Sequence, residues 1–350
     1  EEERSQRVAY LKRLERDLKS SSFPLQRAEP KISFLITNYN YAEFLPILIN
    51  SIQSQNHKNN EIIIIDDCST DNSREVIQEI HKNNPNMKIK VKFNDKNLGQ
   101  LGAIASGYEM VEGEYLVLAD ADDSLDEFFV ERHLYTHRFS SLCMLTSCDI
   151  RFVDRKGTLI HNNCYNSSGS WTKPLEYFAP FSFTLRDWVF APCTANMFRK
   201  TKMLDLFFKV LDEETIRTFR YKGEWLLLYY ANMLGGNTRL NECLVNFRLH
   251  SNNHDTHLHF PTNMVKALNS GDPNFSLSVE FFLRLFIHGY SEMQKHYSVL
   301  GCKTYIQWLY GQYPDTVSKF MSTHLHSLNG EIRGEIRQIY NSVISYFKNK

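Results

Sequence analysis

Tyr115-Leu116-Val117-Leu118-Ala119-Asp120-Ala121-Asp122-Asp123 is an apolar run that ends in an acidic cluster. The five leading residues suit a buried strand. A strand that delivers carboxylates at its carboxyl end is a way to hold a divalent cation, and hard oxygen ligands suit Mg²⁺ or Mn²⁺. Mg²⁺ is usually held by one or two carboxylates together with substrate phosphates, so a nucleotide is the natural companion. The competing reading is local: Asp123 or Ser124 caps a helix running through Asp126, Phe128 and Val130. The rest of the chain decides between them.

Working outward, short apolar runs alternate with helical segments. Ile32–Ile36, Glu61–Ile65 and Lys88–Phe93 read as strands, and Ala42–Gln55, Ser73–Lys82 and Gly99–Val111 as helices. This spacing implies right-handed crossovers and a mainly parallel, Rossmann-like sheet flanked by helices. Ile62-Ile63-Ile64-Ile65 is apolar on both faces, as a central strand covered by helices should be. Ligands of such sheets sit at the carboxyl ends of the strands. Thr37-Asn38-Tyr39-Asn40, Asp66-Asp67 and Asp120-Ala121-Asp122 all fall there.

Beyond Asp123 the alternation loosens. Leu142–Val153 reads as a strand or hairpin, Asn162–Ser170 as a polar loop and Trp171–Asp187 as an aromatic-rich stretch. Gly223–Leu234 reads as a helix, Thr238–Phe247 as a strand, and the segments from about Asn263 onward as helices. Val8, Leu11, Leu14 and Leu18 have helical spacing in a charged lead-in, which a linker through Pro30 follows. The expected organisation is a lead-in over 1–30, an α/β domain over 31–255 with a nucleotide-binding half to 123, and a helical C-terminal extension over 256–350.

Composition excludes some classes. Of 350 residues, 42% are hydrophobic and 23% charged, ordinary for a globular protein. Lys+Arg and Asp+Glu balance at 40 each, which argues against nucleic acid as a partner. Seven cysteines without paired metal spacing suit a reducing compartment, so a cytoplasmic protein is expected, with peripheral association at the inner face of a membrane left open. No apolar stretch approaches the ~18 residues of a membrane-spanning helix. The chain begins at Glu1, and its lead-in is compatible with an upstream domain or a homo-oligomer.

Several motifs fall in one order: Ile36-Thr37-Asn38-Tyr39-Asn40, Ile65-Asp66-Asp67-Cys68-Ser69-Thr70-Asp71, Asn97-Leu98-Gly99-Gln100, and Gly113-Glu114-Tyr115 leading into Asp120–Asp123. Further on come Ala191-Pro192-Cys193-Thr194-Ala195-Asn196, Gly223-Glu224-Trp225 and Phe247-Arg248-Leu249-His250-Ser251-Asn252-Asn253. This set resembles the inverting glycosyltransferases of family 2, bacterial in type, which have the GT-A fold. The resemblance covers roughly residues 31–255.

It implies attack by an acceptor hydroxyl on C1 of a nucleotide sugar, with a UDP-sugar the favoured donor and a glycan or lipid-linked acceptor. Thr37, Asn38, Tyr39 and Asn40 would meet the nucleoside, and Asp66 or Asp67 the N–H edge of its base. Asn97 and Gln100 would line the ribose and diphosphate at a helix N-terminus, which favours anions. Asp122 and His250 would hold Mn²⁺ or Mg²⁺, Asp120 the ribose or the water shell of the ion, and Arg248 would support the nucleotide side. Glu224 is the candidate base, with Asp187 in reserve; Trp225 and Thr194 are weak acceptor contacts. Many relatives carry Arg-Asn where this chain has Ile104-Ala105, so no contact from that arginine carries over. A degenerate transferase acting as a binding module is the alternative. A sugar nucleotidyltransferase would need a Gly-rich phosphate loop, which Thr37–Tyr41 is not.

Overall fold

The computed structural model describes residues 29–138, 143–162, 175–178, 193–220, 223–235, 237–250 and 273–349. Four parallel strands form one half of the sheet: β1 (Ile32–Asn38), β2 (Asn60–Asp66), β3 (Ile89–Phe93) and β4 (Tyr115–Asp120), in the order β3-β2-β1-β4. Helices α1 (Leu45–Gln53), α2 (Ser73–Asn83) and α3 (Gly99–Tyr108) make the crossovers. Three further strands are β5 (Ser124–Leu125), β6 (Leu145–Val153) and β7 (Leu159–His161), with α4 (Phe129–Arg138) between the first two. β8 (Leu175–Phe178), β9 (Asn196–Arg199) and β10 (Asn237–Arg248) complete the described strands. The sheet continues from β4 as β9-β6-β10-β5, β7 pairing with β6 and β8 with β10.

The four-isoleucine strand shows why the alternation builds this sheet. Ile62 and Ile64 pack with Leu48 and Ile52 of α1 and Ile77 of α2. Ile63 and Ile65 pack with Leu101 and Ile104 of α3 on the opposite face. Successive side chains of a strand point to opposite faces, so a strand covered on both sides must be apolar throughout. Gly107 lets α3 approach: a Cβ there would lie 2.5 Å from Leu35 Cδ1 and 2.7 Å from Ile65 Cγ1.

The second half departs from the expected pattern. Asn196, the last residue of the motif that starts at Ala191, opens a strand, Asn196–Arg199, wedged antiparallel between β4 and β6. The helix expected from Asp126 starts at Phe129, and Ser124-Leu125 instead pair with β10, so neither Asp123 nor Ser124 caps it. The nearer alternative for the acidic cluster is therefore set aside. α5 (Lys202–Val210), α6 (Glu213–Thr218) and α7 (Gly223–Gly235) follow β9, and α8 (Pro273–Gln312), α9 (Pro314–His324) and α10 (Gly330–Lys348) form the C-terminal part. Phe281 and Phe286 of α8 and Ile336 of α10 join the same buried cluster as α3 and Phe207 of α5. Among the described residues, no helix is long and apolar enough to cross a membrane. The lead-in helix, Trp171, Asp187, Trp188 and the histidines at 254, 257 and 259 lie outside the described residues.

Candidate active site

The loops that leave β1 and β2 are tied to each other. Asn38 Nδ2 donates to Asp66 Oδ1 at 2.8 Å, and Asp66 also accepts from the Ser69 hydroxyl (2.6 Å) and N–H (3.1 Å). Asn40 adopts a left-handed conformation (φ 62°), and its Oδ1 accepts from the N–H groups of Thr70 (2.7 Å) and Asp71 (3.2 Å). Asparagine tolerates that region because its short polar side chain bonds locally.

Asp67 reaches across to the start of α3, accepting from Leu98 N (2.9 Å), Gly99 N (2.7 Å) and Asn94 Nδ2 (2.8 Å). It thus caps α3, where free N–H groups and the helix dipole favour a carboxylate. An ionised carboxylate offers about four lone-pair sites. Three internal bonds each leave Asp66 and Asp67 little capacity for a nucleobase. Gln100, expected on the diphosphate, donates to Asp120 Oδ1 at 3.1 Å, and Asn97 is held by Arg220 through its backbone and side-chain oxygens. Tyr39 is exposed at the rim.

At the end of β4 the carboxylates crowd together. Thr37 Oγ1 approaches Asp120 Oδ1 at 3.4 Å. Burial, with the charge of Asp122 beside it, pushes the Asp120 carboxyl up to about 7, and the same two causes push Asp123 well above its usual range. Asp122 Oδ2 lies 3.0 Å from His250 Nε2. The imidazole is stacked on Phe44 (ring centroids 4.9 Å apart) with the Tyr41 ring edge-on at 5.4 Å, so an aromatic wall fixes its orientation.

Two expected contacts take other work. Arg248 is buried, and its guanidinium donates to the backbone carbonyls of Asp122 (2.9 Å), Asp154 (3.1 Å) and Arg155 (3.1 Å), while its N–H donates to Asp123 Oδ1. It clamps the acidic turn to the β6–β7 turn. Thr194, expected at the acceptor, is fully buried, and its Oγ1 accepts from Asp120 N at 3.0 Å.

Glu224 opens α7, and a Cβ on Gly223 would lie 2.2 Å from Leu101 Cβ, so that end of α7 is seated directly on α3. A carboxylate oxygen of Glu224, one of Asp120 and the sulfur of Cys193 all lie within 4.8 Å of one another. The fold therefore brings the candidate base to the acidic turn. Cys193 has no signal in sequence beyond its place before Thr194. The side chain of Trp225 lies outside the described part of the structure.

The residues fit a divalent cation. Asp122 Oδ2 and His250 Nε2, hydrogen-bonded 3.0 Å apart, are an oxygen and a nitrogen donor close enough to share one ion. One carboxylate and one imidazole leave most of the coordination shell to water and phosphate oxygens, as Mg²⁺ and Mn²⁺ sites commonly do.

A family model described as glycosyl transferase family 2 matches residues 33–207. An uncharacterized glycosyltransferase of Nostoc sp. is 33% identical over 227 residues, covering 64% of this chain and 66% of its own length, just under two thirds. The putative teichuronic acid biosynthesis glycosyltransferase TuaG of Bacillus subtilis is 26% identical over 234 residues, covering 64% of this chain and 81% of its own. Among solved structures, S. aureus TarS 1–349 in complex with UDP-GlcNAc superposes with a TM-score of 0.51 at 13% identity, over 91% of this chain and 92% of that one. Motif order, sheet topology, the acidic turn and a family model spanning half of the sequence agree, and the chain belongs to glycosyltransferase family 2, with the GT-A fold.

Proposed function

We propose that this glycosyltransferase moves a sugar from a nucleoside-diphosphate sugar, a UDP-sugar in the first instance, to a hydroxyl of a glycan or lipid-linked acceptor in bacterial surface polysaccharide synthesis. The observation that carries the reading is the convergence of Glu224 on Asp120 at the carboxyl end of the sheet. The naming of TuaG for teichuronic acid synthesis and the UDP and UDP-GlcNAc complexes of TarS support the substrate class. The work would be done at the cytoplasmic side, where lipid-linked acceptors are presented at the inner face of the membrane.

In this reading the nucleoside lies over Thr37–Asn40, with the remaining acceptor sites of Asp66 and Asp67 toward its base. The diphosphate lies between the N-terminal end of α3, beside Asn97 and Gln100, and the cation ligands Asp122 and His250. Asp122 and His250 would hold Mn²⁺ or Mg²⁺, which would supply positive charge to the departing nucleoside diphosphate. Asp120 orients the ribose or the water shell of the ion. Glu224 takes the proton of the acceptor hydroxyl, whose oxygen forms a bond to C1 as the bond from C1 to the diphosphate breaks, its electron pair leaving on the phosphate. Attack from the opposite side inverts C1.

The test is calorimetric binding of UDP, GDP and CDP, each with and without Mn²⁺, to the wild type and Asp122→Ala. Metal-dependent binding of one nucleotide, lost in the variant, is expected. Failure of the folded protein to bind any of the three would overturn the donor site and favour a binding or assembly module.

A further inference from the structure

Asp120 and Glu224 bring two carboxylates close together, and like charges at such range repel. Beside both is the thiol of Cys193, which is 3% exposed. Its sulfur lies within 4.8 Å of a Glu224 carboxylate oxygen, and burial together with that carboxylate helps to push the thiol up. Three hydrogen bonds pin the turn that carries the thiol. The Cys193 carbonyl accepts from Asn196 Nδ2 (3.3 Å), Thr194 Oγ1 accepts from Asp120 N (3.0 Å), and Asn196 Oδ1 accepts from the Ser147 hydroxyl (2.6 Å). The sulfur therefore has a fixed position relative to β4, whereas Glu224 projects from the first turn of a helix on a different part of the chain.

We propose that Cys193 is a positioning residue for the transfer: its S–H donates to the Glu224 carboxylate and holds that carboxylate beside Asp120. A thiol suits the place because it donates a hydrogen bond without bringing a third charge. Burial, together with the charges of Glu224 and Asp120, pushes the thiol up, which keeps the proton on sulfur and the donor role intact. The role in transfer rests on the reading of Glu224 as the base; the contact itself does not.

The contact is tested without substrate, by the infrared S–H stretch of Cys193 isolated as the difference between wild type and Cys193→Ser. A hydrogen bond to a carboxylate lowers that frequency, and Glu224→Gln should move the band upward. A band unmoved in Glu224→Gln would overturn the proposal. The role is tested by UDP release from a panel of UDP-sugars in Mn²⁺. Cys193→Ser, which keeps a donor, should stay within about twofold of wild type. Cys193→Val, similar in volume but without a donor, should lose about five- to tenfold in kcat with UDP binding unchanged, the size expected for one weak hydrogen bond to a charged group. Full kcat in Cys193→Val with Glu224→Gln inactive sinks the positioning role alone. Full kcat in Glu224→Gln sinks the reading of the base, while the infrared band still decides the contact.

Discussion

The two ends of the parallel strands treat carboxylates in opposite ways. At the amino end, the Glu61 carboxylate is fully buried and answered on every side: Ser33 Oγ at 2.5 Å, Glu112 N at 2.8 Å, Lys31 Nζ at 2.9 Å and Lys90 Nζ at 3.1 Å. Burial opposes its ionisation, yet these donors hold it below its usual range. At the carboxyl end, three aspartates share one turn, and Asp122 lies 3.0 Å from the His250 imidazole. Burial and mutual repulsion push Asp120 and Asp123 up. One end is neutralised from within the chain. At the other, burial and neighbouring carboxylates keep two carboxyls above their usual range.

The contrast can be broken by substitution. Asp122→Ala should lower turnover by about 10³-fold or more and abolish metal-dependent nucleotide binding, since it removes the proposed cation ligand. Its denaturant midpoint should be equal to or above that of the wild type, because a repulsive charge is gone; marked destabilisation would mean the turn is structural. Glu224→Gln should cost about 10²–10⁴-fold in kcat with nucleotide affinity unchanged within twofold, the range of a general base. Both are read by steady-state kinetics beside calorimetry.

The amino end should behave in reverse. Glu61→Gln leaves Lys31 and Lys90 paired with Glu112 alone and should cost about 1–3 kcal/mol in urea unfolding, less than loss of one partner of an isolated buried ion pair, with kcat unchanged in the folded range. A pH series sharpens this. Because the folded pKa of Glu61 lies below its ordinary value of 4.5, its contribution is complete above that value and is lost as pH falls below it. The advantage of the wild type over Glu61→Gln should be flat above pH 4.5 and shrink beneath it. The smallest effect is expected for Lys90→Met: Lys31 remains on Glu61, and the loss should be about 1 kcal/mol or less by the same unfolding assay.

Sequence gave access to these two ends unequally. Strand–helix alternation was legible because Ile62–Ile65 must be apolar on both faces, and that places Asp66 and Asp120 at strand ends without further knowledge. What each carboxylate does there was not legible. Asp67 caps α3 and Arg248 grips backbone carbonyls because of partners about thirty and more than ninety residues away, and no local spacing encodes such pairs. β9 was missed for a related reason: Asn196-Met197-Phe198-Arg199 is too short for a period, and its strand state comes from the edges of β4 and β6. Cys193 could not be singled out, since a single cysteine far from Glu224 carries no pattern.

The C-terminal helices carry a consequence of their own. Phe281, Phe286 and Ile336 share one continuous interior with Phe207, with Leu101 of α3 and with Ile63 and Ile65 of the sheet. Such an interior does not divide at the chain position where the family motifs stop. Removing the helices would uncover the back of α5 and α7, and α7 is the element that presents Glu224. In evolutionary terms, this part of the chain is not a cassette that recombination could exchange freely: a foreign set of helices would need matching changes in α5 and α7. Descent should therefore couple the two parts, so that substitutions in the helices track substitutions in the elements they cover.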